Sequence, residues 1–227
     1  MFTTKRPRVE SHSEDLMAVS VDLEYPFAGR WLTQNSPANR VPSHGTNLFG
    51  TSYAIDFVPV DEAGRTAPFS VTSLVRPEPA DVFAGFGRPL LAPVEGNVVA
   101  AHWTEPDHDS YRGFPSVAYA LTQRRRAAAG WVALAGNHVL IETSGAVVAV
   151  CHLQHGSVTV HPGQSVSVGD MLGRCGNSGN STEPHVHLQA IDSRDVERAR
   201  AVALTFAGAL PRNGEIVEGR LRPSSDT

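Results

Sequence analysis

From Pro184 the chain reads His-Val-His-Leu-Gln-Ala-Ile, with polar and apolar side chains alternating over seven positions. A period of two predicts a half-buried β-strand. On such a strand His185, His187 and Gln189 share one face, and Val186, Leu188 and Ile191 sit on the core side. Similar runs recur through the chain. Tyr53–Val60 reads as a strand of buried character, Val21–Trp31 as a short strand region, and Pro89–Ala101 as two strands around a Glu95-Gly-Asn97 turn. Further strands are expected at Trp131–Leu134, Asn137–Glu142, Ala146–Leu153, Ser157–Val160 and Ser165–Val168, separated by turn residues such as Ser144-Gly145, His161-Pro-Gly163 and Gly169-Asp170. Short helices are expected at Ser116–Ala129 and Asp192–Arg200. No internal repeat stands out. Many short strands with Gly-containing turns indicate an all-β sandwich or barrel with minor helices.

Composition narrows the function more than the fold. The 227 residues are 41% hydrophobic and 19% charged, enough for a real core. A formal net charge of −4 offers no basic field for nucleic acid. Lys5-Arg-Pro-Arg8 is read as part of a disordered tail, and Arg124-Arg-Arg126 as a solvated helix end. No 18-residue apolar run is present, so no membrane span is expected. The first twenty residues lack the apolar stretch of a secretory signal, which reads as cytoplasmic unless another route or an upstream start exports the protein. Cys151 and Cys175 lack thiolate-site spacing and are expected as free thiols.

Three strands carry side chains that a plain core does not explain. Asp56 lies within Tyr-Ala-Ile-Asp-Phe-Val, where an ionised carboxylate is costly unless paired or metal-bound. His152 lies within Val-Ala-Val-Cys-His-Leu, on the face opposite Cys151 by simple alternation. The His185–His187 pair reads either as a solvated strand face or as two imidazoles reaching one small object, a metal ion or a water.

The motifs in order are Ser43-His-Gly, Tyr53-Ala-Ile-Asp-Phe57, Leu91-Ala-Pro-Val-Glu-Gly-Asn-Val98, Gly136-Asn-His-Val-Leu-Ile and Cys151-His-Leu-Gln-His-Gly-Ser157. Pro162-Gly-Gln-Ser-Val-Ser-Val-Gly-Asp170 and Gly176-Asn-Ser-Gly-Asn-Ser-Thr-Glu-Pro-His-Val-His-Leu188 complete the set. Over residues 43 to 191 this order resembles the lysostaphin-type (LytM-like) zinc endopeptidases of bacterial cell walls. The resemblance implies their barrel-like antiparallel β-sandwich, of the duplicated hybrid motif kind. It implies one zinc ion per chain on His44, Asp56 and His187, with His152 and His185 catalytic. The shorter family pattern has its first histidine four positions before the aspartate, where this chain has Ser52. His44 stands twelve positions before it in a Ser-His-Gly context, and only His12 precedes it.

What the resemblance implies is a metalloendopeptidase that hydrolyses peptide bonds in peptidoglycan stems or cross-links. A zinc-activated water, assisted by His152 and His185, would be the nucleophile. The alternative is a non-catalytic relative that binds peptidoglycan or another protein through the same groove; such relatives typically lose metal ligands, and all the candidates are present here. Gly176 and Gly179 are expected to admit an extended peptide, and the connections at 61–88 and 103–130 to wall the groove. His102, His108, His138, His155 and His161 are read as structural. The expected layout is a tail over 1–20, one peptidase domain over 21–216 with insertions near 61–88 and 103–130, and a loose tail over 217–227.

Overall fold

A computed structural model describes residues 20–220. The expected N-terminal tail, save Ser20, and the end of the C-terminal one lie outside the described residues. Twelve strands follow in chain order: β1 (Ser20–Leu23), β2 (Gly29–Gln34), β3 (Ile55–Pro59), β4 (Pro89–Leu91), β5 (Gly96–His102) and β6 (Asn137–Thr143), then β7 (Ala146–Leu153), β8 (Ser165–Val166), β9 (Met171–Arg174), β10 (Val186–Ile191), β11 (Ala201–Phe206) and β12 (Ile216–Gly219). Three short α-helices, α1 (Phe114–Leu121), α2 (Gln123–Ala128) and α3 (Trp131–Ala135), lie between β5 and β6.

Ten strands form one sheet in the order β12-β2-β3-β10-β7-β6-β5-β8, with β11 also against β10 and β1 against β11. Its pairings are antiparallel except β1 with β11. The all-β expectation is met. β10 lies between β3 and β7, and both of its faces are buried, so the half-buried strand predicted from alternation is a central one. One face packs on an aromatic core of Tyr25, Phe27, Trp31, Phe57 and Phe206. The other carries Ala149, Cys151 and Ile191 under Phe49 and Trp131, so Ile191 shares the face of His187 and Gln189 rather than that of Val186 and Leu188 as expected, and this face opens into the site.

Several expected elements are different. Trp131–Leu134 is helix rather than strand: a five-residue apolar run has no periodicity of its own, and it sits between two glycines, Gly130 and Gly136, at positive φ. Ser157–Val160 is irregular, and Asp192–Arg200 is turn rather than helix. β4 and β5 do not pair around Glu95; β4 pairs with β9, and β5 with β6 and β8. The expected loose tail from 217 begins instead in β12, whose Val217 opposes Trp31.

Candidate metal centre and cleft

Register brings the site together from distant segments. Asp56 of β3 stands opposite His187 of β10, and His187 stands opposite Cys151 of β7, so all three project from one face. His152 joins them by a different device. Asn137 pairs with Leu153 and His138 with Cys151, so His152 is the extra residue of a β-bulge, at φ 61°. A left-handed conformation is uncommon for a residue with a side chain, and a bulge re-aims what it carries. Simple alternation had placed His152 opposite Cys151; the bulge turns it back, and both line the same cleft. His44 arrives on the loop after β2, so the twelve-residue spacing closes onto Asp56 where Ser52 does not. Ser52 instead donates to Asn47 on the exposed surface.

Hydrogen bonds determine which nitrogen of each ring faces inward. Gln189 Nε2 donates to the Phe49 carbonyl at 2.7 Å, so Gln189 Oε1 faces His187 and accepts from its Nε2–H at 3.0 Å. His187 Nδ1 is then unprotonated in the neutral ring, and it lies 2.9 Å from Asp56 Oδ1. His44 repeats the arrangement. Ser43 Oγ donates to the Thr51 carbonyl at 3.3 Å and accepts from His44 Nδ1–H at 3.0 Å, leaving Nε2 at 3.0 Å from Asp56 Oδ2. Two lone pairs thus point at one carboxylate, and lone pairs at that separation repel unless a cation or a proton lies between them. One candidate ligand atom each from His44, Asp56 and His187 fall within 4.8 Å of one another. Two imidazoles and a carboxylate suit a divalent ion with an open fourth position. The residues fit the group.

Asp56 is 5% exposed, and Asn35 Nδ2 also donates to its Oδ2 at 2.7 Å. Burial by itself raises the carboxyl. When the facing rings of His44, His187 and His185 carry a proton, the charge of His44, the hydrogen bonds that His187 and His44 then donate and the charge of His185 outweigh it and hold the pKa well below the usual carboxylate range.

The other two imidazoles are anchored in the same way. His152 Nδ1–H donates to the Ser178 carbonyl at 2.9 Å. His185 Nδ1–H donates to the Glu183 carbonyl at 2.8 Å, leaving Nε2 3.8 Å from Asp56 Oδ1. Their ring centroids are 4.6 Å apart. Burial first, then the charges of His185 and His187, push the His152 pKa well below the ordinary histidine value, although Asp56 and the Ser178 carbonyl pull the other way. His152 is therefore neutral, with its Nε2 lone pair free.

The cleft encloses about 650 Å³. One wall is the loop carrying Arg40, His44 and Thr46; the other is the 103–130 insertion, through Ala120, Gln123, Arg124 and Ala127. The 61–88 connection does not line it. It packs behind the other insertion instead, through the Arg112–Glu78 ion pair and a Glu78–Ser110 bridge. Gly176 and Gly179 do not serve substrate approach either. A Cβ on Gly176 would meet Gln154 Cα at 2.3 Å, and one on Gly179, at φ 73°, would meet Gly136 N at 2.4 Å. Both let the loop pack on the chain's own backbone. Arg126 is no solvated helix end: it lies 3.7 Å from the Tyr119 ring centroid and donates to Asn180 Oδ1.

Cys151 and Cys175 are free and buried. Burial, and then Asp56, push the Cys151 thiol pKa far up, so it offers no thiolate. His138 and His155 do not line the cleft. Asn35, Ser43 and the carbonyls of Ser178 and Glu183 escaped the sequence reading, since nothing in loop sequence marks a backbone carbonyl as a ring anchor.

Residues 116–198 match the model described as Peptidase family M23. The resemblance to lysostaphin-type peptidases is borne out by this match. The M23 match includes His152, His185 and His187, while His44 and Asp56 stand outside it and are brought in by the fold. The chain is similar to the solved catalytic domain of a prophage-encoded M23 protein, EnpA, from Enterococcus faecalis (18% identity, 66% of this chain and 73% of that one, TM-score 0.38). It is similar to the catalytic domain of the antimicrobial peptidase lysostaphin from Staphylococcus simulans (18% identity, 69% and 86%, TM-score 0.37). It is also similar to the deep-sea M23 metalloprotease pseudoalterin (13% identity, 88% and 95%, TM-score 0.44).

Proposed function

We propose that this protein is a zinc metalloendopeptidase that hydrolyses peptide bonds in peptidoglycan stems or cross-links. The observation that carries the reading is the inward convergence of four imidazoles on a buried carboxylate, each with its outer nitrogen committed to an oxygen acceptor. His44 Nε2, one Asp56 oxygen and His187 Nδ1 would hold the ion. When bound, zinc would supply Lewis acidity to the scissile carbonyl and lower the pKa of a water towards neutrality. His152 and His185 are left free of the metal, with one ring nitrogen each facing the cleft. Between them they accept the proton of the attacking water as the C–O bond forms, and return it to the leaving amine as the C–N bond breaks. The Ser178 and Glu183 carbonyls hold the two rings in the required tautomer. Asn35 keeps the second Asp56 oxygen oriented.

The test is metal analysis of the purified protein, followed by incubation of the zinc-loaded form with purified peptidoglycan and identification of the released fragments. New amino termini at one defined peptide position are expected. Protein that holds zinc and binds peptidoglycan without cleaving it would establish the binding-module reading instead.

A further inference from the structure

Two arginines face the cleft without an anion to answer them. Arg40 stands on the wall that carries His44, and Arg124 on the opposite wall formed by the 103–130 insertion. Both are exposed, and among the described residues neither forms an ion pair, whereas Arg65, Arg112, Arg194 and Arg198 each meet a carboxylate. Arg40 is nevertheless held in place. Its Nε donates to the Ser43 carbonyl at 3.1 Å, while Ser43 Oγ accepts from the His44 ring at 3.0 Å. Ser43 thus seats both the guanidinium and the candidate ligand, and Nη1 and Nη2 of Arg40 are left without a protein acceptor among the described residues. The two carboxylates of the lining do not answer the arginines. Asp56 is engaged by Asn35, His44 and His187, and Glu183 Oε2 is buried. A divalent ion against Asp56 would make the cleft more positive still. One exposed arginine is an ordinary surface group; two from different segments, lining one concave space with no anion against either, suit an anionic ligand.

We propose that Arg40 and Arg124 form a carboxylate-recognition subsite: it selects peptides that carry a free carboxylate, at a chain end or on a side chain, close to the scissile bond. This rests on the peptidase reading above and adds the charge class of the substrate. Arg40 makes the direct contact, because its Nε bond fixes the planar fork and Nη1 and Nη2 present two parallel donors to a carboxylate. Arg124, with no bond of its own to fix it, adds attraction from the far wall.

The test compares peptide pairs identical but for one group: glutamate against glutamine at successive positions, and a free against an amidated carboxyl terminus. Affinity for the zinc-loaded full chain is read on rapid mixing, before turnover, and cleavage is followed afterwards. In at least one pair the acid should bind about 10-fold more tightly than its amide at low ionic strength, with the ratio shrinking as salt is added. A preference confined to the terminus assigns the subsite to a chain end; one at an internal position assigns it to a side chain. Arg40→Gln should abolish the ratio and Arg40→Lys should keep part of it. Arg124→Gln, on the other wall and away from the His44 loop, should reduce it with zinc content unchanged. The ratio is taken within each variant, so a general weakening of the cleft cancels. No acid preference in the parent, a ratio that survives Arg40→Gln, one untouched by Arg124→Gln, or no binding of any peptide would each overturn the subsite. Acid preference with no cleavage of any peptide would leave the subsite standing and remove the peptidase reading. Cleavage with no difference between acid and amide in either affinity or rate would do the reverse.

Discussion

At the scale of single residues, Gln189 decides more than its position on a central strand suggests. Its amide nitrogen is committed to the Phe49 carbonyl, so its oxygen holds the proton on His187 Nε2 and leaves Nδ1 for a metal. Replacing such an orienting partner typically costs about 10–100-fold in metal affinity, and Gln189→Leu should fall in that range by zinc competition titration. Unchanged affinity would mean that the tautomer lock is idle. His152→Ala and His185→Ala should keep zinc, since neither belongs to the three-residue set, while hydrolysis drops by about 10²–10⁴-fold. Loss of zinc from either variant would redraw the ligand set. The double Cys151→Ser, Cys175→Ser variant should likewise retain zinc and activity, with a lower urea midpoint because two buried hydroxyls replace apolar thiols. Much of this site was legible in the sequence: an aspartate in an apolar strand and a His-x-His pair are conspicuous against their surroundings. His152 was legible as a residue but not in its direction, because a bulge depends on pairing with β6 and alternation is blind to it. The anchors were hidden for a related reason, as backbone carbonyls carry no residue identity.

Among the elements, the 103–130 insertion acts as a clamp on the loop that anchors His152 and His185. Tyr119 Oη and His108 both meet the Gly179 carbonyl at 3.0 Å, Arg126 holds Asn180, and the Tyr111 amide donates to the Thr182 carbonyl. The loop carbonyls that orient the His152 and His185 rings lie within that same segment. Tyr119→Ala removes one of these bonds, the stacked partner of Tyr111 and the ring beneath Arg126. Faster amide exchange over residues 176–183 is expected, with hydrolysis lowered and zinc retained; exchange protection identical to the parent's would show the clamp to be dispensable. Long strands such as Ala146–Leu153 were readable, because seven of that strand's eight residues are small or apolar and admit few alternatives. Trp131–Ala135 was not, since a five-residue apolar run suits helix or strand alike until its glycine flanks are placed. β11 was missed although it alternates cleanly, with Val202, Leu204 and Phe206 inward, because two of its outward positions are alanine and blur the polar half of the period.

For the molecule as a whole, one buried histidine outside the site links stability to pH. The Trp131 indole is a donor only, and its Nε1–H points at His138 Nε2 at 3.3 Å, so that nitrogen must carry a lone pair. His138 Nδ1–H then donates to the Gly136 carbonyl at 2.8 Å. Protonation would set two N–H groups against each other in a site that is 4% exposed. Burial, partly opposed by the Gly136 bond and joined by the charge of His102, lowers the pKa to about 4. The unfolded chain takes up this proton near pH 6.5 and the folded one only near pH 4. The contribution is therefore complete above pH 6.5 and is lost progressively as pH falls towards 4. A shift of that size corresponds to ~3 kcal/mol of stability. His138→Gln keeps a donor and an acceptor at the position but cannot titrate there. Urea unfolding at fixed metal content should therefore show the parent losing more stability than the variant between pH 7 and pH 4.5. Other titrating groups, including those around Asp56, are common to both proteins and cancel in the difference. A difference that is flat across this range would show that His138 is not held neutral by Trp131, and that α3 is packed on β6 by its apolar contacts alone.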